Sequence, residues 1–143
     1  MIIWREQVHD DWIDYNGHLT EGYYGVVFGN ATDAVFDAVG LDAAYRNAND
    51  SSVYTVEAHV RFLAEVPPGV ELEVRSSVIG VTTKLLRIWH EMWLDDRVCA
   101  TQESLGLHVT ARRSAPFPAE VAARIAATVV EAPAEAGRSI RKI

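Results

Sequence analysis

Between Thr20 and Val39 the sequence reads as one long helix with almost no polar side. Thr20 is placed to cap it, Glu21 suits the positive end of its dipole, and Gly40 stands where a helix end favours a left-handed residue. Apolar side chains recur at Tyr24, Val27, Phe28, Ala31, Ala34, Val35 and Ala38, against few polar ones at Asn30, Thr32, Asp33 and Asp37. Such a helix has to be covered on most sides. In a chain of 143 residues, enough for one domain with one core, the simplest cover is a sheet wrapped around it.

The rest of the chain supplies that sheet. Residues 2 to 9 read as a first strand. After a polar connection over 41–50, partly helical from Asp42 to Tyr45, the pattern changes to a period of two. Tyr54, Val56, Ala58, Val60 and Phe62 fall on one face of the next strand, with Thr55, Glu57, His59 and Arg61 on the other, before Pro67-Pro68-Gly69 ends it. Val70, Leu72, Val74 and Val78 continue the alternation opposite Glu71, Glu73 and Arg75. In the strand Lys84 to Leu94, Leu86, Ile88, His90 and Met92 oppose Leu85, Arg87, Trp89, Glu91 and Trp93. Asp95-Asp96 turns the chain into a last strand, Arg97 to Thr110. Alternating strands on short turns predict an antiparallel meander, a five-stranded sheet around the helix in an α+β fold. Pro118 opens a second helix, Ala119 to Glu131. Residues 1–131 are therefore read as one domain and 132–143 as a loose tail, or one ordered only by a neighbour.

Both faces of the last strand carry apolar groups: Cys99, Leu105, Leu107 and Val109 on one, Val98 and Ala100 on the other. That exceeds what a sheet covered on one face needs, and predicts a second subunit on the outside, as a homodimer or homotetramer with paired sheet edges. The net charge of −7 argues against a nucleic-acid partner. No apolar run approaches the roughly 20 residues that span a membrane, and the N-terminus lacks a signal-peptide layout. The single cysteine, Cys99, reads as a buried inert thiol, and a cytoplasmic location follows.

Ahead of the helix lies Asp14-Tyr15-Asn16-Gly17-His18-Leu19, a run of turn chemistry. It holds a carboxylate a few residues before free helix N–H groups, which pairs a base or nucleophile with a site for a developing oxyanion. The other histidines, His9, His59, His90 and His108, have no metal-ligand spacing and read as strand or turn residues, so no metal is expected. No Gly-x-Ser-x-Gly elbow is present.

Asp14-x-Asn16-Gly17-His18-Leu19, with Tyr24 six residues after the His, resembles the signature of the hotdog-fold acyl-CoA thioesterases of the 4-hydroxybenzoyl-CoA thioesterase type, over about residues 8–109. The form Trp12 to Glu21 is more similar to the betainyl-CoA thioesterases of carnitine degradation, as are Ala31-Thr32-Asp33-Ala34 and Tyr54 to His59. The resemblance implies a hotdog fold and hydrolysis of a short-chain acyl-CoA, preferably betainyl-CoA to betaine and CoA, with no cofactor beyond the CoA of the substrate. It implies that Asp14 attacks the thioester carbonyl or activates a water, and that an amide at about Glu21 binds the oxyanion. Asn16, Gly17 and His18 complete the motif; His18 orients Asp14 or packs. Gly17 either brings the backbone close to the thioester or simply serves an Asn-Gly turn.

Thr20-Glu21 departs from the Asn-Asn usual in the broad family. It is either good helix-start chemistry or, at Glu21, an anion facing a trimethylammonium. Rings would assist such a cation by about 0.5–2 kcal/mol each. The candidates are Tyr23, Tyr24, Tyr54, Trp89 and Trp93, with Tyr24 and Tyr54 preferred. Cations for the CoA phosphates would come from Arg61, Lys84, Arg87, Arg112 and Arg113. Glu57, Glu103 and Thr101 are strand polar groups, the two acids being read first as a solvated face. Two alternatives stand beside this reading: a thioesterase for another acyl-CoA or for acyl carrier protein, and a non-catalytic acyl-CoA-binding protein of the same fold.

Overall fold

The computed structural model describes residues 1–138 and 143. Helix α1 (Glu21–Ala38) buries Tyr24, Val27, Phe28, Ala31, Thr32, Val35 and Phe36. Thr20 occupies the cap position with extended backbone, but its side chain makes no cap hydrogen bond. Its backbone serves instead: the Thr20 amide donates to Trp12 O at 2.8 Å, and its carbonyl accepts from the Tyr23 amide at 3.0 Å. At the other end Gly40 has φ +86°. The Leu41 amide donates back to Phe36 O at 2.8 Å, which closes the helix in a Schellman turn. The Arg124 guanidinium fills the space a Cβ on Gly40 would need, and the positive φ strains any other residue there even if the arginine moves aside.

The sheet contains β1 (Ile2–Gln7), β2 (Ser51–Phe62), β3 (Glu71–Val81), β4 (Leu85–Leu94) and β5 (Arg97–Thr110), antiparallel throughout in the order β1-β3-β4-β5-β2. A two-residue β6 (Arg113–Ser114) pairs with β5, a sixth strand the sequence does not announce. Helix α2 (Ala43–Asn49) is capped by Asp42, whose side chain accepts from the Tyr45 amide. Helix α1 lies on the concave face against β1, β3 and β4, with the core between them. Helix α3 (Ala119–Ala126) stops short of the expected Glu131, because the Thr128 hydroxyl bonds Ile125 O and the Val130 amide bonds Val78 O at the β3 bulge. Among the described residues no helix is long and apolar enough to cross a membrane.

β2 departs from simple alternation. A bulge between Thr55 and Glu57 puts Tyr54 opposite Leu107 and Glu57 opposite Leu105, on the convex face, and Thr55 and Ala58 opposite Gly106 and Ser104 on the concave one. Tyr54 therefore does not share a face with Ala58, Val60 and Phe62 as the sequence suggests, since an inserted residue inverts the pattern beyond it. β2 is also a free edge, and Tyr54, Val56, Phe62 and Leu63 along it are about half exposed.

On the convex face Glu103 is fully buried, against the expectation of a solvated acid. It pairs with Arg87, whose Nε donates to Oε1 at 2.6 Å, and its other oxygen accepts from the Gly137 amide at 2.8 Å. The described part of the tail is thus bound to the sheet by this protomer's own groups; the tail's residues 139–142 lie outside the described ones.

His90 joins α1 to the sheet. Its Nε2 lies 3.0 Å from Thr32 Oγ1 and its Nδ1 2.7 Å from Ser76 Oγ. Thr32 already donates to Phe28 O, so the hydroxyl accepts from Nε2–H, and Nδ1 accepts from Ser76. Complete burial pushes the imidazole down to about 3 from its ordinary 6.5. The unfolded chain takes up a proton at His90 below about pH 6.5 and the folded one does not until about pH 3. Stability is therefore full above pH 6.5 and falls by up to roughly 1.4 kcal/mol per pH unit as pH drops through that window. Urea unfolding at pH 7 and pH 5 should show about 2 kcal/mol lost, and His90→Gln should flatten most of that slope.

Candidate functional site

The loop before α1 is built by local chemistry. Its base is a short helical turn at Asp10–Trp12. Trp12 stacks on Tyr23 with ring centroids 5.3 Å apart. Ile13 bridges to Leu19, whose amide donates to Val66 O at 2.9 Å. These contacts pin both ends of the segment 14–18. Inside it, the Gly17 amide donates to Asp14 O at 3.0 Å and the Asn16 amide to Asp14 Oδ1 at 2.8 Å. Gly17 has φ +79° with open space around it, so its glycine identity answers to the turn, and it does not line the cavity described next.

Asp14, half buried, faces a cavity of about 400 Å³. Asn16, His18, Leu19, Glu21 and Tyr24 line it from the loop and helix start, and Phe62, Leu63, Ala64 and Glu65 from the end of β2 and the segment after it. One Asp14 oxygen is held by the Asn16 amide; among the described residues the other has no protein partner. The amides of Glu21 and Gly22, in the first turn of α1, make no hydrogen bond to the described residues and lie at the positive end of the helix. A carboxylate and the start of a helix, through Glu21, thus meet at one cavity.

The lining is anionic and aromatic. Asp14, Glu21 and Glu65 supply carboxylates, Tyr24 and Phe62 supply rings, and no Lys or Arg takes part. The rings meet edge to face with centroids 5.0 Å apart. Burial raises the Tyr24 hydroxyl above the ordinary tyrosine range, and the nearby Cys99 and Glu65 act in the same direction. His18 Nε2 lies 3.2 Å from Glu65 Oε2, so His18 reaches away from Asp14's carboxylate toward the facing wall.

Of the residues singled out from the sequence, Asp14, Asn16, His18, Glu21 and Tyr24 come together here. Tyr54 does not: the β2 bulge carries it to a second, polar cavity of about 280 Å³ with Arg46 and Arg112. Arg61, Lys84, Arg87, Arg112 and Arg113 are all absent from the first cavity. Arg87 is committed to Glu103, and Lys84 reaches Ser114 at 3.4 Å. Phe62 to Glu65 are the residues sequence reasoning missed. The only sequence signal for them is an apolar pair and an acid just ahead of Pro67-Pro68. Among the described residues no group of three His, Cys, Asp or Glu is arranged to hold a metal ion.

Comparison with known proteins gives a consistent result. The thioesterase-like superfamily matches residues 8–125. The betainyl-CoA thioesterase of Pseudomonas aeruginosa is 43% identical over 144 residues, covering 98% of this chain and 87% of that protein. The L-carnitine dehydrogenase/betainyl-CoA thioesterase of Agrobacterium fabrum is 46% identical over 114 residues, covering 78% of this chain and 23% of that longer protein. Among solved structures, a candidate thioesterase from Pseudomonas putida KT2440 superposes with a TM-score of 0.85 at 37% identity, covering 100% and 97% of the two chains. A Staphylococcus aureus protein solved in complex with CoA shares the fold, with a TM-score of 0.88 at 21% identity, covering 99% and 95%.

Proposed function

We propose that this chain, which belongs to the thioesterase-like superfamily, hydrolyses a short-chain acyl-CoA whose acyl group carries a fixed positive charge, betainyl-CoA foremost. The observation that carries this reading is the cavity wall: two further carboxylates, Glu21 and Glu65, and two rings stand with Asp14, and no Lys or Arg joins them. The carboxylates of such a lining do nothing for a neutral acyl group and repel an anionic one. A trimethylammonium has no N–H to donate, so charge and ring faces are what can hold it.

Asp14 is the reacting carboxylate. In one route its free oxygen adds to the thioester carbonyl, CoA leaves as the thiolate, and water then cleaves the mixed anhydride. In the other Asp14 takes a proton from water as the hydroxyl adds, and the tetrahedral adduct expels the thiolate. Both routes place negative charge on the carbonyl oxygen, which the Glu21 and Gly22 amides receive. A thiolate leaves readily, so no strong general acid is needed.

The oxyanion assignment can be tested without dismantling the helix. Glu21 is the first helical residue, a position that suits proline, and Thr20 before it already has the extended backbone a proline requires (φ −66°, ψ 141°). Glu21→Pro removes the N–H; Glu21→Ala keeps it. The proline variant should have kcat about 10²–10³ lower than the alanine variant. Equal rates would remove the Glu21 amide from the mechanism.

The free edge of β2, with four half-exposed apolar side chains, supports a homodimer joined along that strand. Sedimentation at twice the chain mass is the corresponding observation, and a stable monomer would count against it.

A further inference from the structure

The thioesterase reading leaves open which carboxylate reads the charge of the acyl group. Glu21 and Glu65 both line the cavity, the first from the start of α1 and the second from the segment after β2. In a betainyl thioester the nitrogen is one methylene from the carbonyl carbon. The ammonium therefore sits beside the reacting centre, within reach of a carboxylate of the cavity wall.

Glu21 is already engaged by its own helix. It belongs to the first turn of α1, whose amides receive the oxyanion, and its charge is already balanced by the helix end. Glu65 lies near both rings. Phe62 ends β2 and Ala64 and Glu65 follow in the next segment, Phe62 packs edge-on against Tyr24, and the Tyr24 hydroxyl lies 3.5 Å from Ala64 O. The rise in the Tyr24 pKa includes a contribution from Glu65, which places that carboxylate within electrostatic reach of the ring. The partner of Glu65 is His18, 3.2 Å away, with the two side chains 37% and 76% exposed. An exposed pair of that kind is weak and can be exchanged for a substrate cation.

We propose that Glu65, with the rings of Tyr24 and Phe62, forms the subsite for a quaternary ammonium on the acyl group, and that Glu65 rather than Glu21 sets the preference for a cationic acyl chain. The proposal rests on the thioesterase reading and adds the residue that selects. His18 then has a defined part: its ring holds the Glu65 carboxylate while the cavity is empty.

The test uses a pair of substrates alike in shape and different in charge: betainyl-CoA and tert-butylacetyl-CoA, in which carbon replaces the nitrogen. The quantity read is the ratio of their kcat/KM values. Glu65→Gln should lower the wild-type ratio on the order of 10-fold, a modest factor because water screens this exposed carboxylate. Glu21→Gln and His18→Asn should hold the ratio near the wild-type value, whatever they do to the rates themselves. A purely structural part for Glu65, holding His18 and the loop in place, would slow both substrates alike and leave the ratio unmoved, and that result overturns the proposal. So does a fall in the ratio with Glu21→Gln in place of Glu65→Gln. A wild-type ratio near one, with both thioesters hydrolysed, overturns the subsite together with the cationic-substrate reading; a discriminating wild type whose ratio survives Glu65→Gln overturns the subsite alone.

Discussion

Replacing Asp14 by Asn should lower kcat for acyl-CoA hydrolysis on the order of 10²–10⁴-fold, the range that a positioned carboxylate contributes. The substitution is informative because it spares the loop. Asp14 Oδ1 accepts from the Asn16 amide at 2.8 Å, and an Asn side-chain oxygen accepts the same bond. The bonds from the Gly17 amide to Asp14 O and from the Asp14 amide to His18 O are main-chain and do not change. The loss therefore falls on the chemical step, with KM moving little. Unchanged kcat in a folded Asp14→Asn variant would move the reaction to another residue of the cavity.

The second large effect is on stability. Arg87→Met should lower the unfolding free energy by about 3–5 kcal/mol, because it leaves the fully buried Glu103 carboxylate without its counter-charge. At roughly 2–4 °C per kcal/mol for a chain of this size, the melting temperature should drop by about ten degrees. The Gly137 amide still donates to Glu103, but one neutral donor does not replace a guanidinium. The double variant Arg87→Met/Glu103→Leu should regain most of the loss, since two apolar side chains of similar bulk need no solvation. A single variant as stable as the wild type in urea would mean that the carboxylate is not held charged and dry.

Particular residues explain how far the sequence could be read. α1, its glycine terminator and the Asp14 turn were legible because their causes are local: apolar recurrence at helical spacing, a left-handed Gly40, an Asx turn closed by Gly17. The strands followed from alternation, and the family resemblance, supported by the superfamily match, named the fold they make; their order did not, because β1 pairs with β3 and β2 crosses to the far edge beside β5 where a meander would pair neighbours in sequence. The failures are all non-local or one residue wide. Tyr54 was misplaced because a single bulge residue inverts the strand faces, and period-two reading has no term for it. Glu103 looked solvated because its cover comes from Gly137, far along the chain, and from a cross-strand Arg87. Glu65 went unnoticed because nothing near it in sequence marks it; it joins Asp14 and Tyr24 only once the Leu19 amide has docked on Val66 O.

The most direct test of the functional account is steady-state release of free CoA thiol by the wild-type protein from betainyl-CoA, isobutyryl-CoA and acetyl-CoA. The anionic, ring-lined cavity predicts a kcat/KM for betainyl-CoA at least on the order of 10²-fold above the two neutral thioesters, equivalent to roughly 2.7 kcal/mol of transition-state binding. Equal values for the three would contradict it and leave a thioesterase without a cation site.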